Sequence, residues 1–374
     1  MGTLVNYLRW RGDIRFKYSP LNLMDAVALG QISYFDLRNV YVQGQRQTLG
    51  ELYDRQLEDM SFNSTSLDPK DDAEEFLRAV DASERFRSAQ VLDYTDIYDP
   101  DDDVQFSAMT LRLDDRSTVV AFRGTDDSIA GWCENFMISF TETQSQKMAR
   151  DYLAKVLKWH RNVYVCGHSK GGNLAMYAAC HMDDRQLKKI RAIYLNDSPG
   201  LCEDVVSEEQ VRRIDPITTM TLPSDSIVGR IFEPDLSNKN IIKSNTSGPM
   251  AHSGYSWMIE DNGFVREESF STVSNVINDS LDKYLRNADL EQRKKLVDGI
   301  FDTIKEGGYE RLSDFKENGF AELFGVFKKK LGDSISNIQP KEMIMNTVDE
   351  TRELIINKVD DIKAKLKKND VKDK

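Results

Sequence analysis

The sequence predicts an α/β domain, a mostly parallel central sheet flanked by helices, followed by an all-helical extension. Three observations carry that expectation. Short β-branched runs alternate with helix-patterned segments between about residues 90 and 222, the pattern of parallel strands joined by helical crossovers. One such run, 163–166, turns through Gly167-His168-Ser169-Lys170-Gly171 into a small-residue, helix-favouring segment. From about residue 270 strand signals vanish and charged, helix-periodic sequence takes over. The expected division is 1–269 for the α/β domain, including an N-terminal helical segment, and 270–374 for the extension.

A chain of 374 residues with 40% hydrophobic content holds enough apolar side chains for a large core. Its formal net charge of −12 argues against nucleic acid as the main partner. The four cysteines, Cys133, Cys166, Cys180 and Cys202, include no Cys-x-x-Cys pair. Cys166 and Cys180 fall in segments read as a buried strand and a packed helix, so no disulfide framework is expected. Arg9, Arg11, Asp13 and Arg15 break up the N-terminus before any apolar signal core could form. With no apolar run long enough to span a bilayer either, a soluble cytoplasmic protein is expected.

In chain order, Asn22 precedes an apolar run over 23–29 with Asp25 three positions on, the pattern of an N-capped helix. Its expected place is the sheet's edge. Residues 40–72 are polar and uneven, with a loop over 61–72, and 74–82 read as a helix. Residues 90–98, 105–113 and 117–122 read as strands, the second alternating as if half-buried. The aspartate-rich turn over 99–103 lacks the spacing of an EF-hand loop. Counting from Asp99, Val104 and Thr110 stand where Gly and Glu are required, so a solvated turn and no metal are expected. Residues 145–161 read as an amphipathic helix with Met148, Tyr152, Val156 and Trp159 on its apolar side. Two further strands, 192–196 and 217–222, flank a helical segment over 203–214.

In the extension, Phe315, Phe320, Phe324 and Phe327 form an aromatic patch. Residues 341–366 carry Ile344, Val348, Thr351, Ile355, Ile362 and Leu366 in a near-heptad stripe. An amphipathic helix folded on its own domain is the simpler reading, and docking of a partner helix the sharper one. The terminal lysines read as a solvated tail, with contact to anionic lipid as the alternative.

A Gly-x-Ser-x-Gly turn between a strand and a helix is the geometry of a nucleophile elbow. The turn excludes side chains on both sides of the serine, and the helix N-terminus sets its N–H groups beside Ser169. The plainer alternative is a chance Gly-rich turn. A serine nucleophile needs a base, itself oriented by an acid. Of the four histidines, His168 lies inside the elbow facing away from the serine and is kept as a candidate for the substrate pocket. His160 precedes the elbow strand at its far end, and His181 lies well down the following helix. His252 alone follows the nucleophile in the order Ser, Asp, His expected of an α/β-hydrolase. A surface loop histidine is its plain alternative.

Asp225, after the later strand, is the first choice of acid, because the acid usually sits one strand further from the nucleophile. Asp197, after the earlier strand, is the alternative acid; its plain role is turn formation beside Pro199. The oxyanion hole is assigned to the N–H of Lys170 and to Thr125, with Gly124 permitting close approach and Arg123 bracing the loop by ion pairing. Residues 129–140 occupy the position of a lid. There Trp132, Phe136 and Met137 are candidates for a pocket suited to an acyl chain, with core packing as the equal alternative.

The run from Val119 through Arg123, Gly124 and Thr125, with Trp132 downstream and then the elbow, resembles the class 3 (fungal-type) lipase pattern of the α/β-hydrolases. The resemblance implies an α/β-hydrolase fold over roughly residues 1–265 and leaves the extension unexplained. The residue after Arg-Gly is an oxyanion donor in that family, which corresponds to Thr125. The family's acid sits in Asp-x-Val-Pro, which Asp225-Ser226-Ile227-Val228 resembles with one extra residue and no proline. Residues 252–255 match its histidine loop loosely. Overall the chain is similar to a bacterial group of lipase-like hydrolases with a Gly-His-Ser-Lys-Gly-Gly-Asn elbow.

The expected activity is hydrolysis of carboxylic esters, acyl or lipid esters in particular, through Ser169, His252 and Asp225 with an acyl-enzyme and no cofactor. The substrate is then a small-molecule or lipid ester. A thioesterase or peptidase on the same triad is the alternative enzyme. The alternative from another class is a catalytically idle hydrolase fold used as an interaction module, its C-terminal helices touching a protein or a membrane surface. No oligomeric state is assigned.

Overall fold

The computed structural model describes residues 1–58, 70–99, 104–125 and 137–295. Trp132, Phe136, most of the expected lid, Cys133, the aspartate turn beyond Asp99, the aromatic patch and the last helix lie outside the described residues.

Eight strands stand side by side in chain order: β1 (Gln47–Thr48), β2 (Gln90–Asp99), β3 (Val104–Arg112), β4 (Thr118–Phe122), β5 (Val163–His168), β6 (Ile190–Asn196), β7 (Thr218–Pro223) and β8 (Lys239–Ile242). Neighbours from β1 to β4 are antiparallel and those from β4 to β8 parallel. From β2 onward, the change comes where the connections lengthen. A tight turn can only return a strand antiparallel, whereas a parallel neighbour needs a crossover. Helices at Gln144–Trp159, Lys170–Cys180 and Glu208–Ile214 occupy the three connections between β4 and β7.

A sheet that grows in one direction through crossovers of one hand collects those helices on one face. The chain before β2 covers the other face with α1 (Leu4–Arg11), α2 (Leu23–Ile32), α3 (Leu49–Glu58) and α4 (Lys70–Asp81). The later helices then follow as α5 (Gln144–Trp159), α6 (Lys170–Cys180) and α7 (Glu208–Ile214). Side-chain alternation sorts the strands accordingly. Val119, Ala121, Tyr164 and Cys166 pack with Ala26, Val27 and Phe76. Val120, Phe122, Val163, Val165, Ile193 and Leu195 pack with Leu153, Leu157 and Leu174.

Covering both faces changes two expectations. β3 is buried from Val104 to Leu111 rather than on one side only. α2 lies over β5 and β6 at the sheet's centre, not at its edge. Every residue from Met24 to Ile32 is buried, Asp25 and Gln31 included, so the helix is enclosed by protein all round. Its start is as expected: the Asn22 side chain accepts from the Asp25 N–H, and the Asp25 carboxylate accepts from the Asn22 N–H. Asp25 also receives the Arg85 guanidinium at 2.8 and 2.5 Å and the Tyr7 hydroxyl at 2.8 Å, stapling α1, α2 and the short helix Glu84–Arg87 before β2 together.

α5 buries Ala149, Tyr152, Leu153, Val156 and Leu157, while Trp159, expected on that face, is 83% exposed. α1 and α3 form where no helix was expected. Cys166, Cys180 and Cys202 are buried and free. Among the described residues no helix is long and apolar enough to cross a membrane. Beyond residue 270, α8 (Thr272–Asn287) follows, and Arg293 is buried with its guanidinium facing the Phe140 and Phe232 rings. Mostly parallel and flanked on both faces by helices, the sheet is that of an α/β-hydrolase fold.

Candidate active site

β5 ends at His168 and α6 begins at Lys170, leaving Ser169 between them at φ 58 and ψ −129. A non-glycine residue held there costs on the order of 1–3 kcal/mol, and such strain persists where surrounding structure over-determines it. Here the surroundings are backbone. A Cβ at Gly167 would run into the backbone of Gly171, and one at Gly171 into the Phe122 carbonyl. The Ser169 N–H bonds the Asn196 carbonyl of the neighbouring strand at 3.0 Å.

The rest of the elbow signature also has a structural reason. Asn173 donates to the Pro199 and Gly200 carbonyls at 3.1 and 3.0 Å and accepts from Gln146, which in turn bonds the Ile138 carbonyl. It thereby clamps the loop after β6 to the segment before α5. The Lys170 side chain is buried, and its Nζ donates to the Gln105 carbonyl of β3 at 2.8 Å.

His252 lies against the elbow, its ring centroid 4.6 Å from that of His168. Its Nδ1 is 2.6 Å from Asp197 Oδ2. Asp197 follows β6, sits at φ 42 and is 1% exposed. Its other oxygen accepts from the Ser226 hydroxyl and, at 3.2 Å, from the Gly229 N–H. Asp225, the first choice from sequence, does not meet His252: its carboxylate accepts the Gly248 N–H at 3.3 Å, at the start of the loop that carries the histidine. The aspartate paired with His252 is therefore Asp197, the alternative, and not Asp225. Both aspartates close a strand before His252 in the chain. Asp197 lies on the strand next to β5, and the 248–252 turn brings the imidazole to it.

His168, expected as a pocket candidate, instead has both ring nitrogens engaged by protein. Burial pushes its pKa down to about 3, with the neighbouring His252 acting in the same direction, so the ring is neutral. Nε2 lies 2.8 Å from the His252 carbonyl, which can only accept, so Nε2 carries the hydrogen. Nδ1 then accepts from the Tyr34 hydroxyl at 3.1 Å. That hydroxyl also fills the space a Cβ on Gly124 would need. Tyr34 and His168 thus connect the loop after β4, the elbow and the histidine loop. Trp257, fully buried, bonds the Ala251 carbonyl from its Nε1 at 2.9 Å and packs edge-on against His168.

The loop after β4 is anchored as expected. Arg123 holds Asp96 of β2 through two bonds of 2.8 and 2.9 Å, both side chains nearly fully buried. Its backbone N–H bonds the Ser107 carbonyl at 3.0 Å. Thr125 follows, buried. Of the expected lid, Met137 is half-buried, and Ile138 and Phe140 are buried, Ile138 within the core facing α5. Sequence patterning missed Tyr34 and Ser226 altogether. The signal for Ser226 was its place next to Asp225 in the Asp-Ser-Ile-Val run. Among the described residues no group of three or more His, Cys, Asp or Glu could hold a metal ion.

Two solved lipases align with part or most of the chain. The native lipase propeptide complex of Rhizomucor miehei aligns at 17% identity and a TM-score of 0.30, over 55% of this chain and 61% of that one. The chain thus spans about three fifths of that relative's length. The crystal structure of M37 lipase aligns at 14% identity and a TM-score of 0.40, over 82% of this chain and 100% of that one. No curated protein matches. The Mbeg1-like family model matches residues 80–302, more than half of the chain, and its span holds Ser169, Asp197 and His252. The chain belongs to the Mbeg1-like family, a lipase-like family.

Proposed function

We propose that the protein is a serine hydrolase of carboxylic esters, acting through Ser169, His252 and Asp197. The observation that carries this is the 2.6 Å contact between Asp197 Oδ2 and His252 Nδ1, set against a serine held in a strained strand-to-helix turn. A hydrogen given from Nδ1 to the carboxylate leaves Nε2 with the lone pair a general base needs. In the proposed cycle Ser169 Oγ attacks the acyl carbonyl while Nε2 takes its proton. The N–H at the start of α6, on Lys170, and the Thr125 loop receive the oxyanion. The imidazolium then protonates the leaving alkoxide, giving an acyl-enzyme. A water, deprotonated by Nε2, attacks the acyl carbon and releases the acid and the serine.

Membership of a lipase-like family supports ester hydrolysis as the reaction class. Met250, half exposed on the loop that carries His252, supports an acyl substituent on the substrate. The Gly-His-Ser-Lys-Gly-Gly-Asn elbow, with Lys170 and Asn173 buried and bonded, supports placement in the bacterial group that shares it. The test is labelling by a fluorophosphonate probe, with turnover of a series of p-nitrophenyl esters of increasing acyl length. Labelling and turnover should both vanish in Ser169→Ala while its melting temperature holds. A folded parent protein that neither labels nor turns over any ester defeats the proposal.

A further inference from the structure

Asp197 is aimed by a loop that does not stand on its own. Two donors, the Ser226 hydroxyl and the Gly229 N–H, occupy Oδ1 and leave Oδ2 to His252. Both come from residues 224–230, the connection out of β7, whose only regular element is a single 3₁₀ turn at Val228–Arg230. A loop of that kind needs external holds. The start of the C-terminal segment supplies them. The Ser271 N–H bonds the Ser224 carbonyl at 2.8 Å. The Ser274 hydroxyl, on α8, bonds the Ser226 carbonyl at 2.5 Å. Arg230 lies over the Phe270 ring at 3.9 Å and donates to Ser274 Oγ at 3.4 Å and Asn275 Oδ1 at 3.1 Å. Ser226 and Ser274 are each 1% exposed, so water cannot replace either bond.

We propose that the first turn of α8 is part of the catalytic apparatus: Ser274 fixes the loop whose Ser226 hydroxyl orients Asp197 toward His252. Ser226 has two faces in this role. Its carbonyl is held by the helix, and its hydroxyl holds the acid. Ser226 and Ser274 are positioning residues, and the first turn of α8 is coupled to the site rather than appended to it. This rests on the hydrolase reading above.

The experiment uses full-length Ser226→Ala and Ser274→Ala, with ester turnover, thermal melting and the downfield proton resonance of the Asp197–His252 hydrogen bond. Removing a hydrogen bond to a charged group should lower kcat about tenfold in Ser226→Ala with KM unchanged. Ser274→Ala, one bond further away, should lower kcat roughly threefold, again without moving KM. The resonance should shift in both while the melting curves show folded protein. If Ser226→Ala does not fold, Ser274→Ala carries the test. A kcat equal to the parent's and an unmoved resonance in folded Ser274→Ala overturn the coupling. Where the parent itself turns over no ester, the hydrolase reading falls, and the resonance alone still decides whether α8 sets the Asp197–His252 pair.

Discussion

Replacing Asp197 by asparagine tests the site more sharply than removing the serine, because the structure dictates which way the new amide must face. The Ser226 hydroxyl and the Gly229 N–H both donate to Oδ1, so the amide oxygen is held there and the NH2 group is turned toward His252. An NH2 facing Nδ1 forces that nitrogen to accept. The hydrogen moves to Nε2, and the base can no longer take a proton from Ser169. The expected loss in kcat is on the order of ten-thousandfold, about 5 kcal/mol on the barrier. Asp225→Asn is the control. That carboxylate makes one 3.3 Å bond to the Gly248 N–H, which an amide oxygen can keep, so activity should stay within about threefold of the parent. Steady-state turnover of a short p-nitrophenyl ester reads both variants, and melting temperatures confirm that each is folded. An Asp197→Asn protein retaining a tenth of parental kcat, or an Asp225→Asn protein losing most of it, would refute the assignment of the acid.

Two further outcomes follow from buried charge. Arg123→Met leaves the buried Asp96 carboxylate, among the described residues, with the Tyr94 hydroxyl at 3.1 Å and the Arg38 guanidinium at 3.7 Å to compensate it. Breaking such a pair should destabilise the fold by about 3 kcal/mol and lower kcat through the loop that carries Thr125, as measured by urea denaturation and ester turnover. Undiminished stability would show that the pair does not anchor that loop. His168 ties pH to stability. Its folded pKa, about 3, lies below the ordinary 6.5, so the unfolded chain binds the extra proton. The contribution is complete above pH 6.5 and is lost as pH falls toward 3, at up to about 1.4 kcal/mol per pH unit. His168→Gln should flatten that slope between pH 6.5 and 4.5 in denaturation series, and an unchanged slope would show that His168 is not the group responsible.

The strained turn at Ser169 was legible in the sequence because everything that shapes it is local. Val163 to His181 is one contiguous segment in which a β-branched run, a glycine on each side of Ser169 and a small-residue helix succeed one another. Steric exclusion between near neighbours is enough to set the turn. His252 was legible for a different reason: four histidines allow elimination. The acid was not. Asp197 and Asp225 carry the same chemistry, close consecutive strands and precede His252 in the required order, so nothing local separates them. What separates them is the path of residues 243–252, which leave β8 and bring the imidazole back to the strand beside β5. That path is set by Trp257 under the loop, by His168 gripping the His252 carbonyl and by Asp225 holding its start.

The same division runs through the fold. Asn22 and Asp25 announced the start of α2, because a capping box is closed within one helical turn. That α2 lies at the sheet's centre, and that β3 is covered on both faces, depended on where the N-terminal helices came to rest. Alternation in a strand records which side chains share a face and says nothing of what lands on the other. Ser226 and Tyr34 make the limit plain, since each acts on a partner far along the chain through a single hydrogen bond. The sequence by itself determined the serine, the turn that presents it and the helix that follows, through contacts between chain neighbours. Only the tertiary structure decided which aspartate serves the histidine and what holds it there, because those contacts join segments that the chain keeps apart until it folds.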